Sequence, residues 1–397
     1  MESKIFLSVQ LKIKALLLLI PIWFSISAFA QESVQQEPVQ QESVRQAPVQ
    51  QESASAYKSE NVIYCGGNQN LQFGATLTVP SGKIGSPAVI FVSGTGKQDR
   101  DGTMGKDYKM FLTIADHLSR LGIATLRIDD RGVGETSGIY EESTTGDFAE
   151  DILAAIQFLK TRKEVDPSKI GLIGHSEGGA VASIAASKSK DVAFIVSIAG
   201  LAMNGLDALI TQNADIVNAA NIPDHDKKRS NEINELMFRT VYENADSDSL
   251  GVILNETYNS WKKKDDEFFK TLNKEFDHFR FPVYSYVNQA QSAWYRFFIK
   301  YDPADYLSKI HIPILALNGD KDLMVACREN LYNWVKYSNM GANYDVKIVV
   351  LPGLNHLFQE PGTETSEVQG QPKDQPQAEK RFSPVALEII SEWIQRL

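Results

Sequence analysis

The residues best suited to carry out a reaction lie at positions 174–179, where the chain reads Gly-His-Ser-Glu-Gly-Gly. This G-x-S-x-G pattern directly follows the apolar run 169–173, which predicts a buried strand, and precedes 180–187, which predicts a helix of small residues. A sharp turn between strand and helix strains the serine backbone and exposes its hydroxyl for attack on a carbonyl carbon. The pattern therefore predicts Ser176 as a nucleophile, against the simpler interpretation of a loop serine between glycines.

A nucleophilic serine needs a base, because its alcohol is too weak to attack a carbonyl unaided. The chain has six histidines, and His356 is the one placed on a loop after a strand, following the apolar run Val346–Leu351. His175 adjoins the serine and cannot turn back onto it, and the remaining histidines fall in predicted helices or just before a strand. A loop histidine is more often a solvated side chain than a catalyst, yet its position favours His356 as the base for Ser176.

An acid must then orient the imidazole, and two aspartates follow the apolar run 313–317. Either Asp320 or Asp322 can take this role, and the other carboxylate can cap the helix predicted to begin near Leu323. We favour Asp322 and keep Asp320 as the alternative. The resulting order along the chain is serine, aspartate, histidine, which is one of the known orders of catalytic triads.

Four segments of the chain resemble the exported bacterial carboxylesterase and serine-aminopeptidase-like group of α/β-hydrolases. They are 93–101 (SGTGKQDRD), 127–134 (RIDDRGVG), the GHSEGG motif at 174–179, and 319–322 (GDKD) with 355–356 (NH). The similarity extends from about residue 61 to the C-terminus. It implies an α/β-hydrolase fold, with a mostly parallel sheet, helices on both faces and a helical cap insertion. These segments are specific for fold and mechanism but not for substrate, since one scaffold serves many chemistries.

The resemblance implies a serine hydrolase that cleaves carboxylic esters through Ser176, His356 and Asp322 and an acyl-enzyme intermediate, with no cofactor. It also implies an oxyanion hole formed by two backbone N–H groups, those of Glu177, the residue after the nucleophile, and of Thr95. An aminopeptidase or an acyl-thioesterase on the same scaffold is the nearest alternative. A non-catalytic member that only binds a ligand is the alternative of a different class.

The glycine-rich segment 93–98 does not fit a nucleotide site. Its Gly-Lys pair is followed by Gln98 where a P-loop needs serine or threonine, and Asp99 stands where G-x-G-x-x-G needs its third glycine. The net charge of −10 and the lack of a basic stripe argue against nucleic acid as a partner. Cysteines and histidines have no zinc-like spacing, so no metal is predicted. The predicted partner is a small-molecule acyl ester.

The first 30 residues have the features of a secretory signal peptide. Three lysines precede the apolar stretch Ala15–Phe24, and Ala28-Phe29-Ala30 forms a cleavage site. We expect an exported, periplasmic or secreted protein without stable membrane insertion after cleavage, because the stretch is short for a spanning helix; an uncleaved signal is the alternative. Residues 31–58 form a predicted disordered linker, since a ten-residue repeat of Gln, Glu, Ser, Val and Pro fills most of it and cannot bury a core.

Residues 59–200 and 301–397 are predicted to form the α/β-hydrolase core, and 201–300 a helical cap inserted between two of its strands. The second half of the cap is rich in aromatic residues. Most of these rings must pack inside the cap, and a minority can line a cleft for an apolar acyl group. Helical periodicity is found in four stretches of the cap: 206–218, 227–242, 250–269 and 288–301. The physiological substrate, the acyl chain length and the oligomeric state stay open.

Overall fold

The computed structural model describes residues 56–105, 107–272, 282–359 and 381–397. The predicted signal peptide and all but the last three residues of the predicted linker lie outside these ranges. The first strand begins at Tyr57, so the last two residues of the predicted linker belong to the folded part of the chain. Within the described ranges, no helix combines the length and the apolar character needed to cross a bilayer.

Eight strands form one sheet in the order β1-β2-β6-β3-β7-β8-β9-β10. Strand β2 pairs antiparallel with β1 and with β6, and all other neighbours in this sheet are parallel. Strands β4 and β5 form a separate short hairpin. The strands are β1 (Tyr57–Gly66), β2 (Leu71–Pro80), β3 (Ser86–Val92), β4 (Thr103–Met104), β5 (Tyr108–Lys109), β6 (Ala124–Ile128), β7 (Val165–His175), β8 (Phe194–Ile198), β9 (Ile314–Gly319) and β10 (Val346–Leu351).

The part of the chain that the structure describes contains eleven α-helices. They are α1 (Met110–Arg120), α2 (Thr145–Lys160), α3 (Glu177–Lys188), α4 (Gly205–Ala219), α5 (Asp224–Asn244), α6 (Leu250–Lys270), α7 (Val283–Ala290), α8 (Ala293–Lys300), α9 (Ala304–Leu307), α10 (Cys327–Met340) and α11 (Pro384–Ile394). Helices α1 and α11 pack on one face of the sheet, and α2, α3 and α10 pack on the other.

Both faces of the sheet are buried, which explains the continuous apolar runs of its central strands. In β9, for example, Ile314 and Ala316 join one core cluster, whereas Leu315 and Leu317 join the cluster on the opposite face. Successive side chains of a strand point to opposite faces, so a strand covered on both sides must be apolar at every position. The predicted fold class, a mostly parallel sheet with helices on both faces, is confirmed.

Within the described residues, six helices, α4 to α9, lie between β8 and β9; we call residues 205–300, which carry α4 to α8, the helical insertion. Three of them match the predicted helical stretches closely. The fourth predicted stretch, 288–301, is wrong as a single helix, because the chain turns at Gln291 and Ser292 between α7 and α8. There the Ser292 side chain accepts a hydrogen bond from the Tyr295 N–H and starts a new helix as its N-cap. Part of the aromatic-rich segment, residues 273–281, lies outside the described residues.

Strands β3, β7, β9 and β10 are parallel, so their carboxyl ends meet at one edge of the sheet. That edge is where ligand sites of open α/β sheets lie. The loops leaving these four strands carry, in order, Thr95, Ser176, the pair Asp320 and Asp322, and His356. The topology alone therefore brings all the predicted site residues to the same edge.

Candidate active site

Ser176 lies at the turn between β7 and α3, with a backbone conformation that only glycine adopts readily. Its φ is 56° and its ψ is −122°. A serine in this region costs roughly 1–3 kcal/mol and persists only where the surroundings hold it. The Ser176 N–H donates to the carbonyl of Ile198 at 3.3 Å, and the Ser176 carbonyl accepts from the Leu201 N–H at 2.9 Å. The end of β8 thus fixes the strained turn, as a nucleophile elbow requires.

Both glycines that flank the serine are required by close contacts. A Cβ on Gly174 would lie 2.3 Å from the carbonyl oxygen of Gly178, and a Cβ on Gly178 would lie 2.2 Å from the carbonyl oxygen of Val92. Real Cβ atoms do not approach backbone oxygen so closely. The G-x-S-x-G spacing therefore follows from the close approach of β7, α3 and β3.

Asp322 and His356 form a hydrogen-bonded pair. His356 Nδ1 lies 2.8 Å from Asp322 Oδ2, and the Asp322 side chain is fully buried. The other carboxylate oxygen, Oδ1, accepts from the backbone N–H groups of Met324 at 2.7 Å and Val325 at 2.9 Å. An ionised carboxylate can only accept, so the imidazole proton lies on Nδ1 and Nε2 is left with its lone pair. This is the tautomer that a general base for serine needs.

Asp320, the alternative acid, points elsewhere. Its Oδ1 accepts a hydrogen bond from the Gly353 N–H at 2.6 Å, and its side chain is 38% exposed. It therefore ties the loop after β9 to the loop that carries His356, without contacting the imidazole. The geometry favours Asp322 over Asp320 as the residue that orients His356.

No hydrogen bond joins His356 to Ser176 in the structure. Nε2 of His356 is buried and has no hydrogen-bond partner in the described part of the chain. Without substrate, hydrogen bonds of this kind are often long and close only in the complex. The structure brings the three residues to one edge and joins two of them. The proton transfer from Ser176 to His356 stays a prediction.

His175, which precedes the nucleophile, packs against His356. The two ring centroids are 4.7 Å apart, and His175 Nε2 lies 3.1 Å from the backbone carbonyl oxygen of His356. A carbonyl only accepts, so Nε2 carries the proton of His175. Burial, reinforced by the neighbouring His356, lowers the pKa of His175 to about 3. The neutral His175 ring is a support for the loop of His356, a role that its sequence position gave no reason to expect.

His175 should make the fold sensitive to acid. Its pKa of about 3 lies below the ordinary 6.5. Between these two pH values, the unfolded chain therefore binds a proton at His175 that the folded chain does not bind. The free energy of unfolding should therefore fall as pH decreases from about 6.5 to about 3, by up to roughly 1.4 kcal/mol per pH unit from this residue. His175→Gln keeps an N–H donor and should make that dependence shallower. Urea unfolding of both proteins across this range measures it, and equal slopes would show that His175 does not titrate as inferred.

Thr95 and Glu177, the predicted oxyanion-hole residues, line the same cavity as Ser176. Neither backbone N–H has a backbone acceptor within the described residues. Glu177 is the first residue of α3, where N–H groups lack partners inside the helix and favour negative charge. Both donors are therefore available to an oxyanion, and their assignment stays a prediction.

The side chain of Glu177 is a feature that the sequence analysis missed. Its carboxyl group is buried and accepts hydrogen bonds from the hydroxyls of Thr95 at 2.6 Å and Thr145 at 2.7 Å, and from the Trp294 indole at 2.8 Å. No cation pairs with it among the described residues. Burial raises the pKa of the Glu177 carboxyl, and the three hydrogen bonds oppose that rise. Glu177 thus links the helical insertion, through Trp294, to the loop of Thr95.

A family model described as the alpha/beta hydrolase fold matches residues 87–363, more than half of the chain. The chain belongs to the α/β-hydrolase fold family. The resemblance inferred from the four sequence segments is thereby confirmed.

This α/β-hydrolase is similar to the esterase EstD of Thermotoga maritima, with 28% identity over 284 residues, 71% of this chain and 57% of that protein. It is also similar to the putative hydrolase YtaP of Bacillus subtilis, with 33% identity over 111 residues, 24% of this chain and 37% of that protein. The chain thus spans less than two thirds of the length of these curated relatives. A solved Pyrococcus furiosus esterase aligns with a TM-score of 0.50 and 15% identity, over 86% of this chain and 91% of that one, which shows the fold alone.

In this α/β-hydrolase, Ser176 opens onto a cavity of about 100 Å³ between the sheet edge and the helical insertion. Within the described residues, Glu177 is the only acidic residue of the lining, and no lysine, arginine or histidine belongs to it. The apolar part of the lining includes Leu201, Leu209, Phe238, Trp294, Phe298 and Met324.

Proposed function

We propose that this chain is a carboxylesterase that works through Ser176, His356 and Asp322. The observation that carries the proposal is the buried hydrogen bond of 2.8 Å between His356 Nδ1 and Asp322, which orients the imidazole, while Nε2 has no hydrogen-bond partner among the described residues. A strained serine stands at the same sheet edge and opens onto a small, largely apolar cavity. Nucleophile, oriented base and substrate space are the elements that acyl transfer requires.

In the proposed reaction, Ser176 Oγ attacks the ester carbonyl carbon while its proton passes to His356 Nε2. The negative charge that develops on the carbonyl oxygen is stabilised by the backbone N–H groups of Thr95 and Glu177. The alcohol leaves with the proton from His356, and an acyl-enzyme remains. Water then attacks this ester with His356 again as base, which releases the acid and restores the serine hydroxyl.

The lining of the cavity favours a neutral ester over the nearest rivals. An acyl-thioester carried on a phosphorylated group would bring anionic charge, and no cation lines the cavity among the described residues. An aminopeptidase needs a carboxylate free to bind the substrate amine. Among the acids of the insertion, Asp265 is buried in an ion pair with Arg229 at 2.7 Å. That pair leaves Asp265 poorly suited to bind an amine.

A fluorophosphonate probe tests the proposal, because it forms a covalent phosphonyl bond with an activated serine and expels fluoride. We expect labelling at Ser176, identified by peptide mass spectrometry, in step with the loss of 4-nitrophenyl butyrate hydrolysis. Ser285→Ala, which removes another hydroxyl of the cavity, should be labelled as the wild type is. If folded protein is not labelled at Ser176 while Ser176→Ala still binds ligand normally, the chain is a binding protein instead.

A further inference from the structure

Five of the residues that the helical insertion contributes to the lining carry amide or serine hydroxyl groups that ester hydrolysis does not use. We call these five residues the amide wall. They are Gln212, Asn213, Asn234, Ser285 and Gln289. A site for a purely hydrocarbon group gains nothing from amides, since each must give up hydrogen bonds to water when the group binds.

Asn213, on α4, has a buried acceptor with no partner. Its Nδ2 donates to the carbonyl oxygen of Leu209 at 2.9 Å, which fixes the orientation of the amide because a carbonyl can only accept. Oδ1 is then left without a hydrogen bond to any described residue, although Asn213 is only 7% exposed. Among the described residues that line the cavity, Asn213 is the one with a buried side-chain polar atom that has no hydrogen-bond partner. An acceptor left unpaired in this way costs about 1–3 kcal/mol, so it needs an explanation.

Asn234, on α5, offers the complementary group. Its Oδ1 accepts from the Tyr286 hydroxyl at 2.8 Å, so its Nδ2 must be the donor side of the amide. That Nδ2 lies 3.5 Å from the Ser230 hydroxyl, at the outer limit of a hydrogen bond. Asn234 therefore has donor capacity that the protein uses only weakly.

We propose that the amide wall is a subsite for a neutral hydroxyl group on the substrate. Asn213 and Asn234 line the same cavity, and a hydroxyl matches both of them, because it can donate to an acceptor such as Asn213 Oδ1 and accept from a donor such as Asn234 Nδ2. A carboxylate or phosphate would set its charge against Oδ1 and would find no cation in the lining. This inference rests on the proposed esterase function and narrows its substrate class to neutral, hydroxyl-bearing esters.

Matched esters test the subsite and show which half of the substrate occupies it. The first pair is ethyl hexanoate and ethyl 6-hydroxyhexanoate, which differ by a hydroxyl on the acyl side. The second pair is hexyl acetate and 6-hydroxyhexyl acetate, which differ by a hydroxyl on the alcohol side. In one of the two pairs, kcat/KM should be about tenfold higher for the hydroxylated ester, mainly through KM, as expected for about one buried hydrogen bond. A ratio within twofold of unity in both pairs, on an active enzyme, would overturn the subsite and leave the esterase function standing.

Asn213→Leu should bring that ratio close to one. Asn255→Leu is the matched control, because Asn255 makes the same bond to a carbonyl four residues earlier but does not line the cavity. It should keep the full preference for the hydroxyl. An Asn213→Leu protein that keeps the preference would contradict the assignment, and Asn213→Ala serves if the leucine variant does not fold.

A binding measurement separates this inference from the proposed activity. Ligand-observed NMR with wild-type protein should show 1,6-hexanediol binding more tightly than 1-hexanol, and Asn213→Leu should remove the difference. If no ester is hydrolysed but the diol preference is present and depends on Asn213, the esterase proposal fails and the subsite stands. If the two alcohols bind equally to wild type, the subsite fails whatever the activity.

Discussion

Ser176→Ala is expected to lower kcat for 4-nitrophenyl butyrate by roughly 10⁴- to 10⁶-fold, to a level near the background reaction. In the proposed mechanism, the substitution removes the oxygen that forms the acyl-enzyme and leaves the cavity and the proposed oxyanion donors in place. KM should change little, because the lining of the cavity is unchanged. The free energy of unfolding should also change somewhat, because alanine must adopt the strained φ of 56° without the serine hydroxyl. Steady-state kinetics, with circular dichroism as a check on folding, measure both effects.

His356→Ala is the companion to this substitution, and the double variant shows whether the two residues act as one unit. Removal of the base should cost about as much as removal of the nucleophile, and the double variant should be no worse than either single variant. Additive losses would mean that Ser176 and His356 contribute to activity separately. Substantial activity in either single variant would place the reacting groups elsewhere in the molecule.

The strained turn at Ser176 could be predicted from the sequence because the constraints on it are local. The contact between Gly174 and Gly178 lies within five residues of chain, and a strand followed by a helix is visible in the apolar pattern. The second contact, of Gly178 with Val92, is long-range but needs only that β3 lie beside β7. A parallel sheet provides this neighbour, and so the motif and the fold imply each other.

The supporting contacts of the site could not be predicted, because they join residues far apart in the chain. Glu177 meets the Trp294 indole across 117 positions, and His175 meets the His356 carbonyl across 181 positions. Neither pair has a periodicity or a motif that would connect its members. The presence of a glutamate inside a buried elbow was the one signal available, since a buried carboxyl must find hydrogen-bond donors.

Local hydrogen bonds also decided the two places where predicted helices were wrong. The helix expected near Leu323 begins at Cys327, because Asp322 binds the N–H groups of Met324 and Val325 and holds that segment in a turn. Ser292 likewise interrupts the predicted helix 288–301 by capping a new one. Asp and Ser side chains compete with helix hydrogen bonds in this way, and apolar periodicity does not register it.

The turn after β9 also gives Asp322→Asn a second effect. Besides removing a charge, this substitution should change which imidazole nitrogen of His356 carries the proton. Two backbone N–H groups, those of Met324 and Val325, require an acceptor at Oδ1, so the amide oxygen of asparagine must occupy that position. Its NH₂ group then faces His356 Nδ1 and donates to it, which moves the imidazole proton to Nε2. The imidazole would present a proton to Ser176 where a lone pair is needed.

We therefore expect Asp322→Asn to lower kcat by about 10⁴-fold with little change in folding, the loss that a wrong tautomer produces in triads of this kind. Asp320→Asn is the matched control two residues away, because an asparagine oxygen can still accept from the Gly353 N–H. It should retain activity within about tenfold of the wild type. The comparison is made by kcat for the same ester, together with NMR of the imidazole nitrogens to locate the proton. If Asp320→Asn proves the more damaging, then Asp320 orients His356 during turnover, and the loop after β9 must rearrange when substrate binds.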